Sequence, residues 1–293
     1  MSTAHSPTAQ PADDDRPFSD PARIPALYAD QNRVARRSGA LLDAKVEGRH
    51  VGTVIADIAA TTTANAADNM IADIGCGWGG TTRVLHRRLP SAQFLAVDAS
   101  FPMLHAARTR LSAQLGADAS RITFLQADFH QLPLMDRTCM LAVAAFCVYH
   151  SRTPSAVITE IARCLALGGT AILVTKSADS YHELDELLAA TGLDPDAACR
   201  PSLYATAHGT VLPILTAATL SVVEVTSEQH VFRFRDALHL AEYLMTVPKY
   251  QLAPPLQDAP AALAVELRRR HGDGPVVTTS TITYVTACRG PRT

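Results

Sequence analysis

Short apolar runs alternate along the chain with longer segments of helical spacing. Met70 to Ile74 is apolar except for Asp73, and it runs into a turn with Gly75, Gly77 and Gly79 at every second position. Thr81 to Leu89 then has helical spacing and stops at Pro90. Gln93–Asp98, Arg121–Ala127, the fully apolar Cys139–Cys147 and Thr170–Thr175 read as four further strands. Unbroken apolar runs of this length suit strands covered on both faces. Thr153 and Pro154 open a helix, threonine as cap and proline in the first turn, that runs to Leu167 and ends at Gly168-Gly169. Ser221–Phe234 and Pro275–Arg289 alternate and are β-branched, the pattern of antiparallel strands.

The flanks are organised differently. Residues 1–22 are rich in Ser, Thr, Pro and Asp and read as a disordered tail. Residues 23–62 read as a helical leader with breaks at Gly48 and Gly52. Ser180 to Glu183 has the order of a capping box, which makes Glu183 a helix cap rather than a catalytic base. Residues 177–220 read as a substrate-side insertion, in which Pro201–Leu220 forms irregular helices near the substrate opening. In the stretch 235–272, Asp236 caps a helix through Val247, a loop follows from Pro248, and Ala259–His271 is a further helix. This second insertion is expected to fold over the C-terminal ends of the strands as a lid. Strands alternating with helices predict a doubly wound α/β sheet, with 23–293 as one domain around a core at 68–176.

Composition narrows the classes. At 47% hydrophobic and 18% charged residues the chain is an ordinary globular one. A net charge of −2 offers no general attraction to nucleic acid or to an anionic membrane. No apolar run is long enough to span a bilayer, and the first twenty residues lack the apolar centre of a secretory signal. Six cysteines without a Cys-x-x-Cys pair suit reduced thiols in a cytoplasmic protein. The histidines are scattered, with no metal-ligand spacing. Oligomeric state is not legible.

A strand that enters a glycine turn and a helix is a nucleotide-binding place. The spacing here is Asp-x-Gly-x-Gly-x-Gly rather than the dinucleotide fingerprint. Asp73 would repel a pyrophosphate but suits a ligand carrying an amine and a sulfonium. On Asp73, Gly75, Gly77 and Gly79 the chain resembles the class I S-adenosylmethionine-dependent methyltransferases of small-molecule type. Phe146 and His150 match that family's motif after the fourth strand, with Tyr149 in place of a histidine. Glu160 to Gly169 resembles its Glu-x-x-Arg-Val-Leu-Lys-Pro-Gly-Gly, with Ala166-Leu167 replacing Lys-Pro. The resemblance covers roughly 68–176.

The resemblance implies a seven-stranded Rossmann-like sheet in the order third, second, first, fourth, fifth, seventh, sixth. It implies S-adenosylmethionine as cofactor and a small-molecule methyl acceptor. At matching positions Asp98, followed by Ala99, accepts from the ribose hydroxyls, and Met103 packs on the adenine. Asp128 accepts from the adenine amine beside Phe129, and the Ala145 carbonyl is a candidate acceptor for the cofactor's amine. Tyr28, Arg33, Arg36 and Arg37 lie in a leader that folds over the cofactor in resembling enzymes. His150 is the first candidate for a base, with cofactor support as its other role; His182 and His208 follow. Tyr149, Tyr243, Lys249 and Tyr250 are candidate acceptor contacts. Apolar and aromatic residues around them suit a modest-sized, partly hydrophobic metabolite. The resulting expectation is a specialised-metabolite O-, N- or C-methyltransferase. A nicotinamide-dependent oxidoreductase and a non-catalytic S-adenosylmethionine-binding protein are the alternatives.

Overall fold

The computed structural model describes residues 19–20, 23–62 and 70–290. Most of the tail expected over 1–22 lies outside the described residues. Of its end, the Ser19 carbonyl accepts from Arg152 Nε at 3.1 Å, and Asp20 pairs with the same guanidinium at 3.6 Å.

Two short leader helices come first, α1 (Ile24–Leu27) and α2 (Gln31–Ala44), followed by a three-residue strand β1 (Lys45–Glu47) and helix α3 (Val51–Thr62). The core then alternates: β2 (Met70–Ile74), α4 (Gly80–Arg88), β3 (Gln93–Asp98), α5 (Phe101–Leu115), β4 (Ile122–Gln126), β5 (Cys139–Ala145), α6 (Pro154–Cys164) and β6 (Leu165–Lys176). The remainder is α7 (His182–Thr191), α8 (Leu212–Ala217), β7 (Ser221–Phe234), α9 (Ala237–Leu244), α10 (Pro260–Arg270) and β8 (Val276–Cys288).

The sheet order is β1-β7-β8-β6-β5-β2-β3-β4. Strands β2 to β6 pair in parallel, and β8, β7 and β1 add on antiparallel. The expected order of seven is present, and an eighth strand corrects the count. β1 is held by Lys45 opposite Phe232 and Glu47 opposite Val231, at the edge of β7. A second correction concerns β6, which begins at Leu165 rather than Thr170 because α6 already ends at Cys164.

Each parallel strand feeds two apolar layers. Ala72 and Ile74 of β2 face one core with α6, α7, α9 and α10, while Ile71 faces the other with α3, α4 and α5. Coverage of both faces is why the core strands read as unbroken apolar runs. The capping box did not form. Tyr181 takes a left-handed conformation ahead of α7, and Glu183 instead accepts from Thr278 Oγ1, Thr279 Oγ1 and the Thr279 amide, tying α7 to β8.

Candidate active site

A cavity of about 610 Å³ opens at the C-terminal ends of β2, β3, β5 and β6. This is where the strand order reverses, the crevice in which sheets of this kind collect ligands. Its floor is the Gly75–Gly80 turn, its flanks include Asp98, Ala99, Met103, Phe129 and Ala145, and its roof includes Tyr28 and Arg37 of the leader.

The glycines of the turn have separate reasons. At Gly75, φ is 69° and an added Cβ would fall 2.5 Å from the Cys147 Cβ, so side-chain packing excludes any larger residue. At Gly77, φ is 54° and an added Cβ would meet only the Met103 methyl, at 3.7 Å. The space beside Gly77 is therefore cavity, which a side chain would fill. Gly79 lies behind the turn against Leu111 and does not line the cavity.

Asp98 does line it. One carboxylate oxygen accepts from the Gly77 amide and the other from the Ser100 amide, both at 2.8 Å. Two oxygens offer about four acceptor sites, which leaves lone pairs for ligand hydroxyls. Burial pushes its pKa up, against those two amide bonds. Asp73 corrects the expectation of an amine contact. It is 1% exposed and turned toward α4, where it accepts from Thr82 Oγ1 at 2.6 Å. Burial raises its pKa from an ordinary 3.8 to about 6.

Asp128 is likewise turned away from the cavity. Its side chain is 66% exposed and accepts from the His130 amide and ring, while the far nitrogen of that ring lies 2.7 Å from Ser151 Oγ. Its neighbours Gln126, Ala127 and Phe129 supply the wall instead.

Of the acid-base and acceptor candidates, His150 and Tyr149 line the cavity. His150 Nε2 meets the Tyr28 hydroxyl at 2.8 Å. His182 sits on the outer turn of α7 beside the Asp179 carbonyl, and His208 pairs with Thr210; neither lines the cavity. Lys249 is buried against Asp185 at 2.6 Å, Tyr243 stacks on Phe234, and Tyr250 shares their small neighbouring recess. The insertion 235–272 therefore contributes no residue to the cavity wall among the described residues, and the roof is lined from α1 and α2 instead.

One cavity residue, Lys176, was missed, and of the three leader arginines named from the sequence Arg37 is the one in the cavity wall. Lys176 ends β6, and its ammonium lies over the rings of Phe146, Tyr181 and Tyr204. Arg37 is surrounded by Tyr28, Tyr149, Tyr204 and Tyr243. A lysine closing an otherwise buried apolar strand was the available signal for Lys176.

The family model described as a methyltransferase domain matches residues 71–169. That stretch runs from β2 through α6 and so holds the glycine turn and Asp98. The domain is similar to trans-aconitate 2-methyltransferase of Yersinia pestis, 44% identical over 61 residues, which are 21% of this chain and 20% of that protein. It is similar to malonyl-[acyl-carrier protein] O-methyltransferase of a Marinomonas species, 30% identical over 122 residues, 42% of this chain and 43% of that protein. The match thus spans less than half the length of either relative. Among solved structures, YcgJ of Bacillus subtilis shares the fold with a TM-score of 0.55 at 15% identity, covering 83% of this chain and 100% of that one. The [4+2]-cyclase SpnF shares it with a TM-score of 0.56 at 17% identity, covering 92% and 97%. Lys176 and the roof residues Tyr28 and Arg37 lie outside the matched stretch.

Proposed function

We propose that the protein transfers a methyl group from S-adenosylmethionine to a small-molecule O, N or C nucleophile, in the manner of specialised-metabolite methyltransferases. The observation that carries this reading is the pairing of Asp98 with the bare edge at Gly77 in one cavity. Residues and cofactor fit. A carboxylate with spare lone pairs suits the ribose, and apolar Met103 and Phe129 suit the adenine. The recess at Gly77 takes a group pressed against backbone.

When bound, the cofactor supplies an activated methyl on a sulfonium. The chain's task is then to hold two reactants in line and keep water out. Asp98 orients the ribose, and Tyr28 closes the roof by bonding His150 and accepting from Ser100 Oγ through its carbonyl. His150 is the one histidine in the cavity wall among the described residues, so it is the group placed to accept a proton if the acceptor loses one. No helix among the described residues is long and apolar enough to cross a membrane. All six cysteines are unpaired, which supports a reducing compartment such as the cytoplasm.

Calorimetry with S-adenosylhomocysteine tests the cofactor half. Binding should weaken about tenfold or more in Asp98→Ala, since charge-assisted hydrogen bonds to a diol are lost. Unchanged affinity would remove Asp98 from the site. Mass spectrometry of a metabolite extract incubated with protein and methyl-labelled cofactor tests the transfer.

A further inference from the structure

Lys176 is one of three lysines in the chain. Its ammonium lies 5.4, 4.7 and 5.3 Å from the ring centroids of Phe146, Tyr181 and Tyr204, and it donates to the Tyr181 hydroxyl at 2.7 Å. No carboxylate pairs with it among the described residues, whereas buried Lys249 has Asp185. A recessed cation without a counter-charge is costly. Burial pushes the Lys176 pKa down, and the positive charge of Arg37 adds to that.

The surroundings carry strain as well. Phe146 and Tyr181 have φ of 59° and 68°, two of four non-glycine residues with positive φ among the described ones. Bulky side chains rarely adopt this region, and such strain gathers at ligand clamps. Both strained residues hold rings against the same ammonium.

The cavity is polarised in consequence. Asp98 is its one acidic wall residue among the described residues. It ends β3, three strands from β6 and so roughly 14 Å away. Lys176 ends β6 on the far side, and Arg37 and the rings of Phe146 and Tyr149 share the wall. Arg37 is hydrogen-bonded to Tyr28 in the roof, whereas Lys176 rises from the sheet.

We propose that Lys176, with Arg37 nearby, forms a subsite for a carboxylate of the methyl acceptor, which is a small anion with a flat or apolar body. This rests on reading the cavity as an S-adenosylmethionine site and adds the acceptor's class. A carboxylate could also come from the cofactor's own methionine end, and the test separates the two sources.

The full chain is titrated calorimetrically with S-adenosylhomocysteine. The saturated complex is then titrated with benzoate and with benzamide, its neutral analogue. Wild type should bind benzoate about tenfold or more tighter than benzamide, the difference of one charge-assisted pair. Lys176→Met should lose that preference and keep S-adenosylhomocysteine affinity, while Lys176→Arg keeps both. No benzoate binding by wild type, or equal affinity for benzoate and benzamide, overturns the proposal. So does a Lys176→Met variant that loses cofactor affinity and keeps the benzoate preference, because Lys176 then serves the methionine carboxylate. Should Lys176→Met fail to fold, Lys176→Gln, which also removes the charge, is read in the same way. Wild type that does not bind S-adenosylhomocysteine sinks the broader reading instead, a failure that is separate and visible first.

Discussion

The Tyr28 hydroxyl lies 2.8 Å from His150 Nε2, and the two rings meet edge-on at 5.5 Å. This bond fastens the leader to the end of the fourth parallel strand across the cavity. Each partner's loss should loosen the roof. A neutral hydrogen bond contributes about 1 kcal/mol, so Tyr28→Phe should weaken S-adenosylhomocysteine binding by roughly fivefold. His150→Ala should weaken it similarly, and the double variant should be little worse than either, as for two members of one contact. If His150→Ala instead leaves affinity alone and lowers kcat by about 10²-fold, the histidine is a base and the roof bond is incidental.

Gly75 and Gly77 should fail in different ways. Gly75→Ala drives a methyl to within 2.5 Å of Cys147 in the core, so the variant should melt earlier whether or not ligand is present. Gly77→Val enters the open cavity, so it should keep most of the fold and lose cofactor binding. Melting curves with and without S-adenosylhomocysteine read both, and a Gly77→Val variant stabilised by ligand as well as wild type would contradict the placement.

Asp73 should leave a signature in the pH dependence of stability. Its folded pKa, about 6, lies above the ordinary 3.8 because burial disfavours the charge. A raised pKa means that the folded state holds the proton more tightly. The contribution is therefore full below 3.8 and is lost as pH rises through 6. From pH 4 to 7.5, wild type should lose about 2.4 kcal/mol relative to Asp73→Asn, which cannot ionise. Denaturant unfolding of both proteins at both pH values measures this, and parallel pH curves would refute it.

The Lys249–Asp185 pair predicts stability without specificity. Removing one partner of a buried pair strands the other charge, at a cost of about 3–5 kcal/mol. Lys249→Met should therefore lower the melting temperature markedly. Folded variant should bind S-adenosylhomocysteine as wild type does, because the pair lies outside the main cavity. A selective loss of acceptor binding in a protein of normal stability would restore Lys249 as a substrate contact.

How far the sequence could be read depended on whether a feature is local. The parallel strands were legible because burial on both faces writes itself as an apolar run, as in Leu141 to Ala144. β1 was not, because Lys45-Val46-Glu47 is a strand only by pairing with residues near 231 and 232. The glycine turn was found from spacing, but spacing alone does not orient Asp73. The strand turns its carboxylate toward Thr82 and away from the ligand space. Asp128 was misplaced because a histidine two residues on competes for its oxygens. The lid was assigned to 235–272 because that stretch is apolar and inserted. Which surface an amphipathic helix covers is a tertiary matter, and α9 covers α2 rather than the cavity.

The roof helix α2 is held in part by its Ala40 carbonyl, which accepts from His239 Nε2 of α9 at 3.1 Å. These residues lie 199 positions apart. A ribosome delivers α2 early and α9 late, so while most of the sheet is being made the roof lacks this one of its anchors. The parallel strands can pair before then, with the leader tied to them through Tyr28 at Ser100 and His150. The last fastening of the roof thus waits for α9, and a nascent chain halted before it would carry the glycine motif under a roof anchored at one end.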